Sequence, residues 1–177
     1  MTTSCHNGAR EQRAGRPEVW RFGEVSSALD VGHTLARRGL LAPWQSVLVS
    51  SQRQGRGQLR RNWVSPAGNI YAEPCARSAA AAVTGAMLAA ALGKLGFEVR
   101  LKWPNDLAVL DGDTPAKVAG ILLEERAGVL LAGIGINVAW APPAETLRAG
   151  AAMPAKALVS GLKKSQKIFL TAESLWY

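Results

Sequence analysis

Cysteine is scarce: Cys5 and Cys75 are the only two in 177 residues. Two thiols cannot build a disulfide framework or a four-ligand zinc site, so a reducing, cytoplasmic setting is expected. Long apolar runs are missing too. The uncharged stretch from Ala79 to Leu92 is short and holds Thr84 and Gly85; that from Ala127 to Ala144 holds Gly133, Gly135, Asn137, Pro142 and Pro143. Neither supplies about 20 continuous apolar residues, so no membrane span is expected. Residues 1–17 are polar, without the apolar stretch of a secretory signal, and read as a disordered tail. The chain also lacks a phosphate-binding P-loop, a G-x-S-x-G nucleophile elbow and an H-E-x-x-H metal helix.

Acidic residues are absent from Val31 to Ala72, where Arg37, Arg38, Arg53, Arg56, Arg60 and Arg61 all fall. Arginine forks suit planar, bidentate contacts with carboxylate or phosphate. Arg37 and Arg38 sit late in an expected helix and read as a solvated face, as do Lys163, Lys164 and Lys167 near the C-terminus. The net charge of +8 attracts phosphate in general, but no helix-turn-helix, zinc finger or aromatic–basic RNA motif accompanies it. No DNA partner is expected.

What is present is globular. Apolar residues make up 48% and charged residues 19%, enough for one domain over residues 18–177 with its own core. Apolar spacing predicts a helix over Ser27–Gly39, with Gly39 ending it, and a second over Ala76–Leu95, closed by Gly96. Strands are expected at Ser46–Ser51, Asn69–Glu73, Glu98–Lys102, Leu107–Leu110, Val118–Glu125 and Gly128–Asn137. Asp111-Gly112-Asp113 and Arg126-Ala127-Gly128 read as hairpin turns, so antiparallel pairing is expected over that half. Ala155–Tyr177 reads as one more helix. The fold class is α+β, a mixed or antiparallel sheet with helices packed on one face.

Three clusters carry chemistry. In the first, Gln52 to Trp63, Gly55 and Gly57 bracket Arg56, so bare backbone can approach an anion beside a cation. Trp63 adds a flat face on which a base can stack. In the second, Lys102 to Leu107, Pro104 interrupts strand-like residues and sets Asn105 and Asp106 at a strand end. Asp106 can meet Mg²⁺ or receive a proton there, or the pair is simply a turn. In the third, Lys117 opens an apolar strand, and Gly133 and Gly135 precede Asn137. His33 reads as an ordinary helix residue.

Taken in order, GRG-x-x-x-R-x-W-x-SP, KWPNDL, K-V-A-G-I-L and G-x-GIN resemble the catalytic domain of biotin protein ligases, over about Glu24 to Asn137. The resemblance implies a class II synthetase-like fold and a two-step reaction. Biotin and ATP give biotinyl-5′-adenylate, and biotin then passes to a lysine of a biotin carboxyl carrier domain. It implies biotin contacts from Ser27, Gln52, Gly55, Arg56, Gly57, Lys117, Gly120 and Gly133. It implies ATP contacts from Arg56, Gln58, Arg61, Trp63, Asn105 and Asn137. Lys117, Arg56 and Asp106 take the catalytic roles, with Asp106 in the neighbourhood of Mg²⁺, and a homodimer is the implied assembly.

The sequence departs from the family pattern at Gln58, where a second arginine is usual, and at Arg60, where glycine is usual. Only Ser27 carries over from the family's Ser-Thr-Asn at the helix start. The family's small C-terminal β-barrel and N-terminal DNA-binding domain have no counterpart in these 177 residues, so no repressor role is expected. A degenerate binder with weak transfer and a lipoate- or octanoyl-type ligase are the alternatives.

Overall fold

The computed structural model describes residues 8–11, 17–76, 81–147 and 153–161. Eight strands form one sheet: β1 (Ala9–Glu11), β2 (Val19–Val25), β3 (Ser46–Gln52), β4 (Ile70–Ala76), β5 (Arg100–Lys102), β6 (Asp106–Asp111), β7 (Thr114–Arg126) and β8 (Val129–Ile136). Their order across the sheet is β1-β2-β3-β4-β8-β7-β6-β5. β2 and β3 are parallel, joined through helix α1 (Ala28–Arg37); every other neighbouring pair is antiparallel. Helix α2 (Ala81–Lys94) precedes β5.

The meander from β5 to β8 follows from its turns. Gly112 has φ 59°, and Ala127 and Gly128 have φ 51° and 76°, the left-handed backbone that tight hairpins between right-twisted strands require. The mixed α+β sheet expected from the sequence is present, but the helices divide between its faces instead of sharing one. Strand alternation explains why. Val47, Val49, Tyr71 and Leu131 point to the α1 side, while Leu48, Ala72, Ile121 and Ile134 point to the other. Gly32 of α1 sits against Leu131, and Gly85 of α2 sits against Leu101 and Ile121. Both faces of the central strands are apolar, so each needs its own cover.

Other sequence expectations change. Ala9–Glu11, placed in the tail, pairs with Val19–Arg21 as an edge strand, and β2 itself lay in a segment with no expected element. The second helix starts later than Ala76, because β4 runs through that residue. The segment expected as a C-terminal helix is extended at Ala155, pairs with Lys117, and makes a single 3₁₀ turn at Leu158–Gly161. There Leu158 is buried and closes the end of the core. The rest of that expected helix, the Lys163/Lys164/Lys167 cluster and Cys5 lie outside the described residues. No helix among the described residues is long and apolar enough to cross a membrane.

Candidate functional site

The site lies on the α1 face, where three glycines leave the sheet bare. Gly120 of β7 pairs with Gly135 of β8, and Gly133 lies two residues further along β8. Side chains from elsewhere fill that gap. A Cβ on Gly135 would fall 2.6 Å from the Trp63 ring, and one on Gly120 would fall 3.1 Å from it. A Cβ on Gly133 would fall 3.0 Å from Glu73 Oε2 and 3.5 Å from Leu29.

Trp63 is delivered by an ordered hairpin. Residues 52 to 65 close on themselves: the Gln52 N–H donates to Ser65 O, Trp63 N–H to Gly55 O, and Gly57 N–H to Arg61 O. Gly55 is obligatory here, since a Cβ would lie 2.3 Å from the Trp63 carbonyl oxygen. The hairpin base is tied to the start of α1. Gln52 Oε1 accepts the Ala28 N–H at 2.8 Å, and Gln52 Nε2 donates to Ser65 Oγ at 3.0 Å. Gln52 therefore caps α1, a task usually given to the N-cap side chain. Ser27 stands at that N-cap, buried, with an unpartnered hydroxyl.

Lys117 reaches this face through a bulge. In strict alternation it would share the α2 side with Ala119 and Ile121. The β6–β7 register slips between Leu107 and Ala108: Leu107 pairs with Ala119, and Ala108 with Lys117, leaving Val118 extra. A one-residue insertion re-aims the side chains beyond it. The Lys117 ammonium consequently sits 5.1 Å from the Trp63 ring centre, against Gly120, and 2.6 Å from Asp106 Oδ1.

Arg56 is engaged elsewhere. Its guanidinium donates to both oxygens of Asp30, at 2.9 and 3.0 Å, and to Glu124 Oε1 at 3.2 Å. Arg126 bonds the same two acids, each at 2.9 Å, and the buried His33 lies 3.1 Å from Glu124. The Lys117 ammonium lies against Gly120, four residues from Glu124 on β7, about 13 Å of strand. The two expected catalytic cations therefore stand in separate ion pairs and do not meet. Burial raises the Asp30 carboxyl's pKa, but the bonds and charges of Arg56 and then Arg126 outweigh it and hold it below the usual range. Burial keeps the His33 imidazole below its usual value despite the pull of Glu124. Burial also drives Glu73 well above the usual carboxylate range, with the Arg56 charge opposing.

The remaining expected residues divide. Asn137 sits at the end of β8, its backbone N–H bonded to Val118 O, beside the Lys117 carbonyl. Asn105 is buried and braces β7, donating to Ile121 O at 3.1 Å. Gln58 and Arg61 lie exposed around the hairpin tip. The Asp106 carboxylate is paired with Lys117, and no cluster of three His, Cys, Asp or Glu occurs among the described residues. Sequence reading missed Asp30, Glu73, Glu124 and Arg126. Glu73 carried a signal, a lone acid inside the apolar strand IYAEPCA.

The profile of the Biotin/lipoate A/B protein ligase family matches residues 41–140. The chain belongs to this family. Within it, the chain is 38% identical over 122 residues to the bifunctional ligase/repressor BirA of Salmonella typhimurium, covering 60% of this chain and 37% of that protein. It is also 38% identical over 124 residues to the biotin–[acetyl-CoA-carboxylase] ligase of Paracoccus denitrificans, covering 61% of this chain and 50% of the relative. This chain thus matches half or less of the length of these curated relatives. Among solved structures, biotin protein ligase from Aquifex aeolicus in complex with biotin and ATP superposes with a TM-score of 0.65 at 25% identity, over 85% of this chain and 64% of that one. The Leishmania major ligase in complex with biotinyl-5-AMP shares the fold, with a TM-score of 0.66 at 23% identity, over 89% of this chain and 70% of that one.

Proposed function

We propose that this chain is the catalytic domain of an ATP-dependent biotin–protein ligase. One observation supports it above others: a lysine re-aimed by a bulge stands beside a tryptophan over a floor of paired glycines. In the first step a biotin carboxylate oxygen attacks the α-phosphorus of ATP, taken as its Mg²⁺ complex. The bond to the bridging oxygen breaks and pyrophosphate leaves. In the second, a carrier lysine's amine attacks the acyl carbon, AMP departs and the amine sheds a proton.

Lys117 turns from Asp106 to the converging oxyanions and offsets their repulsion, as a flexible point charge can. Asp106, relieved of that partner, is placed to take the incoming amine's proton. Trp63 offers its ring to adenine, with Asn137 at the strand end beside it. Arg56 contributes through the backbone of its glycine-flanked turn, because its guanidinium is held by Asp30 and Glu124. The hairpin keeps water from the adenylate.

The test is pyrophosphate release with biotin, ATP and Mg²⁺, followed by label transfer to a carboxylase carrier domain. Biotin-dependent release and labelling of one lysine are expected. Absence of biotin-dependent turnover points to a binder, and faster turnover with lipoate points to the other branch of the family; either result overturns the proposal.

A further inference from the structure

Three buried polar atoms near the start of α1 lack partners: Ser27 Oγ, Arg56 Nε and Glu73 Oε2. Buried polar groups in native proteins are almost always bonded, because burial without a partner is costly. Glu73 is the most demanding of the three. It is 4% exposed, lies across Gly133 and packs under Gly32 of α1. Gly133 has no side chain, and that absence leaves room for the carboxyl over β8.

The other end of the glycine floor belongs to Trp63 and Lys117, which suit a base and an anion. Gly133 is two residues along β8 from Gly135, about 7 Å of strand. A ligand whose anionic end meets Lys117 and that runs along β8 from Gly135 to Gly133 brings its far end to Glu73. Their chemistry is complementary. Arg56 Nε–H is a donor, Ser27 is both donor and acceptor, and Glu73 is an acceptor that also donates when protonated. Burial favours that neutral form. Such a set suits an uncharged group presenting N–H and C=O together and finds nothing to bond on a hydrocarbon or dithiolane ring.

We propose that Glu73 is a specificity-determining contact, accepting an N–H from a neutral urea-type head group held over Gly133. The proposal rests on the biotin reading above, since biotin carries a cyclic urea and lipoate does not. A site built to bond a polar group penalises analogues lacking it, because its own atoms are then left unpaired.

The test is calorimetric titration of wild type, Glu73→Met and Glu73→Gln with biotin, desthiobiotin and lipoate, and separately with ATP. Desthiobiotin keeps the urea but lacks the sulfur. Glu73→Met is expected to weaken biotin and desthiobiotin alike by about tenfold or more, while ATP affinity is unmoved. Glu73→Gln, which keeps an acceptor, is expected to recover most of that loss. Unaltered biotin affinity in a folded Glu73→Met protein would overturn the assignment, as would equal losses for biotin and ATP. Wild type that takes lipoate and not biotin would instead overturn the functional reading, before any variant is considered.

Discussion

At the scale of single residues, Lys117 and Glu73 lead to different expectations. Lys117 has one ionic partner, Asp106, and a quarter of its side chain remains exposed, so its replacement leaves the core intact. Lys117→Ala is expected to lower adenylate formation by at least about 10²-fold while biotin binding stays measurable; pyrophosphate release and calorimetry check the two halves. Glu73 affects stability with the opposite pH sense to an ordinary ion-paired acid. Its folded pKa is raised, so its contribution is fully present below the unfolded value near 4.5 and is lost as pH rises towards the folded value. Glu73→Gln is expected to raise the melting temperature by a few degrees at pH 8, and by less at pH 5, in thermal scans at both. A gain independent of pH would contradict this account. Lys117 was legible as chemistry in the sequence. Its partner network was not, because Asp30, Glu73 and Glu124 come from α1, β4 and β7 and meet only through the sheet order.

At the scale of elements, the hairpin from Gln52 to Ser65 and the glycine floor form one device. Gly55 permits the turn's close approach, and Gly120 with Gly135 admits the indole. Gly55→Ala sets a Cβ against backbone that cannot yield, and is expected to cost about 1–3 kcal/mol and release Trp63. A fall in denaturation midpoint with a red shift in tryptophan emission would show this. Trp63→Ala is expected to raise the KM for ATP about tenfold or more with biotin affinity little changed. Steady-state kinetics and biotin titration decide between this and a ring that serves biotin instead.

Elements with strong periodicity, such as α1, β3 and the β6–β8 meander, were readable because their own residues and turns specify them. β1, β2 and the Ala155 segment were not. β2 (VWRFGEV) is bounded by a polar edge strand on one side and needs parallel β3 to define it. Ala155 is extended because Lys117 offers it a backbone partner, which no local window contains.

At the scale of the whole molecule, the sheet separates two tasks. The α2 face is a sealed apolar layer, and the α1 face holds the glycine floor and the charged network. Asp30 joins α1, the hairpin and β7 through Arg56 and Arg126. Its pKa is lowered, so its stabilisation is present above the unfolded value near 4 and disappears as pH falls through the folded one. Asp30→Ala is expected to remove no more than about 1 kcal/mol at neutral pH, since the pair is partly exposed, and to flatten the acid limb of the stability curve below about pH 4. Urea midpoints measured across pH supply the check.

The lone extra residue at Val118 acts as a change of parity in the chain. On either side of it, odd and even positions exchange inside for outside. Counting along KVAGIL from its buried end would have hidden the ammonium in hydrocarbon. Reactivity at this strand is therefore governed by how many residues the chain has, as much as by which ones, and a length change of one would disarm the site while every functional residue is still present in the sequence.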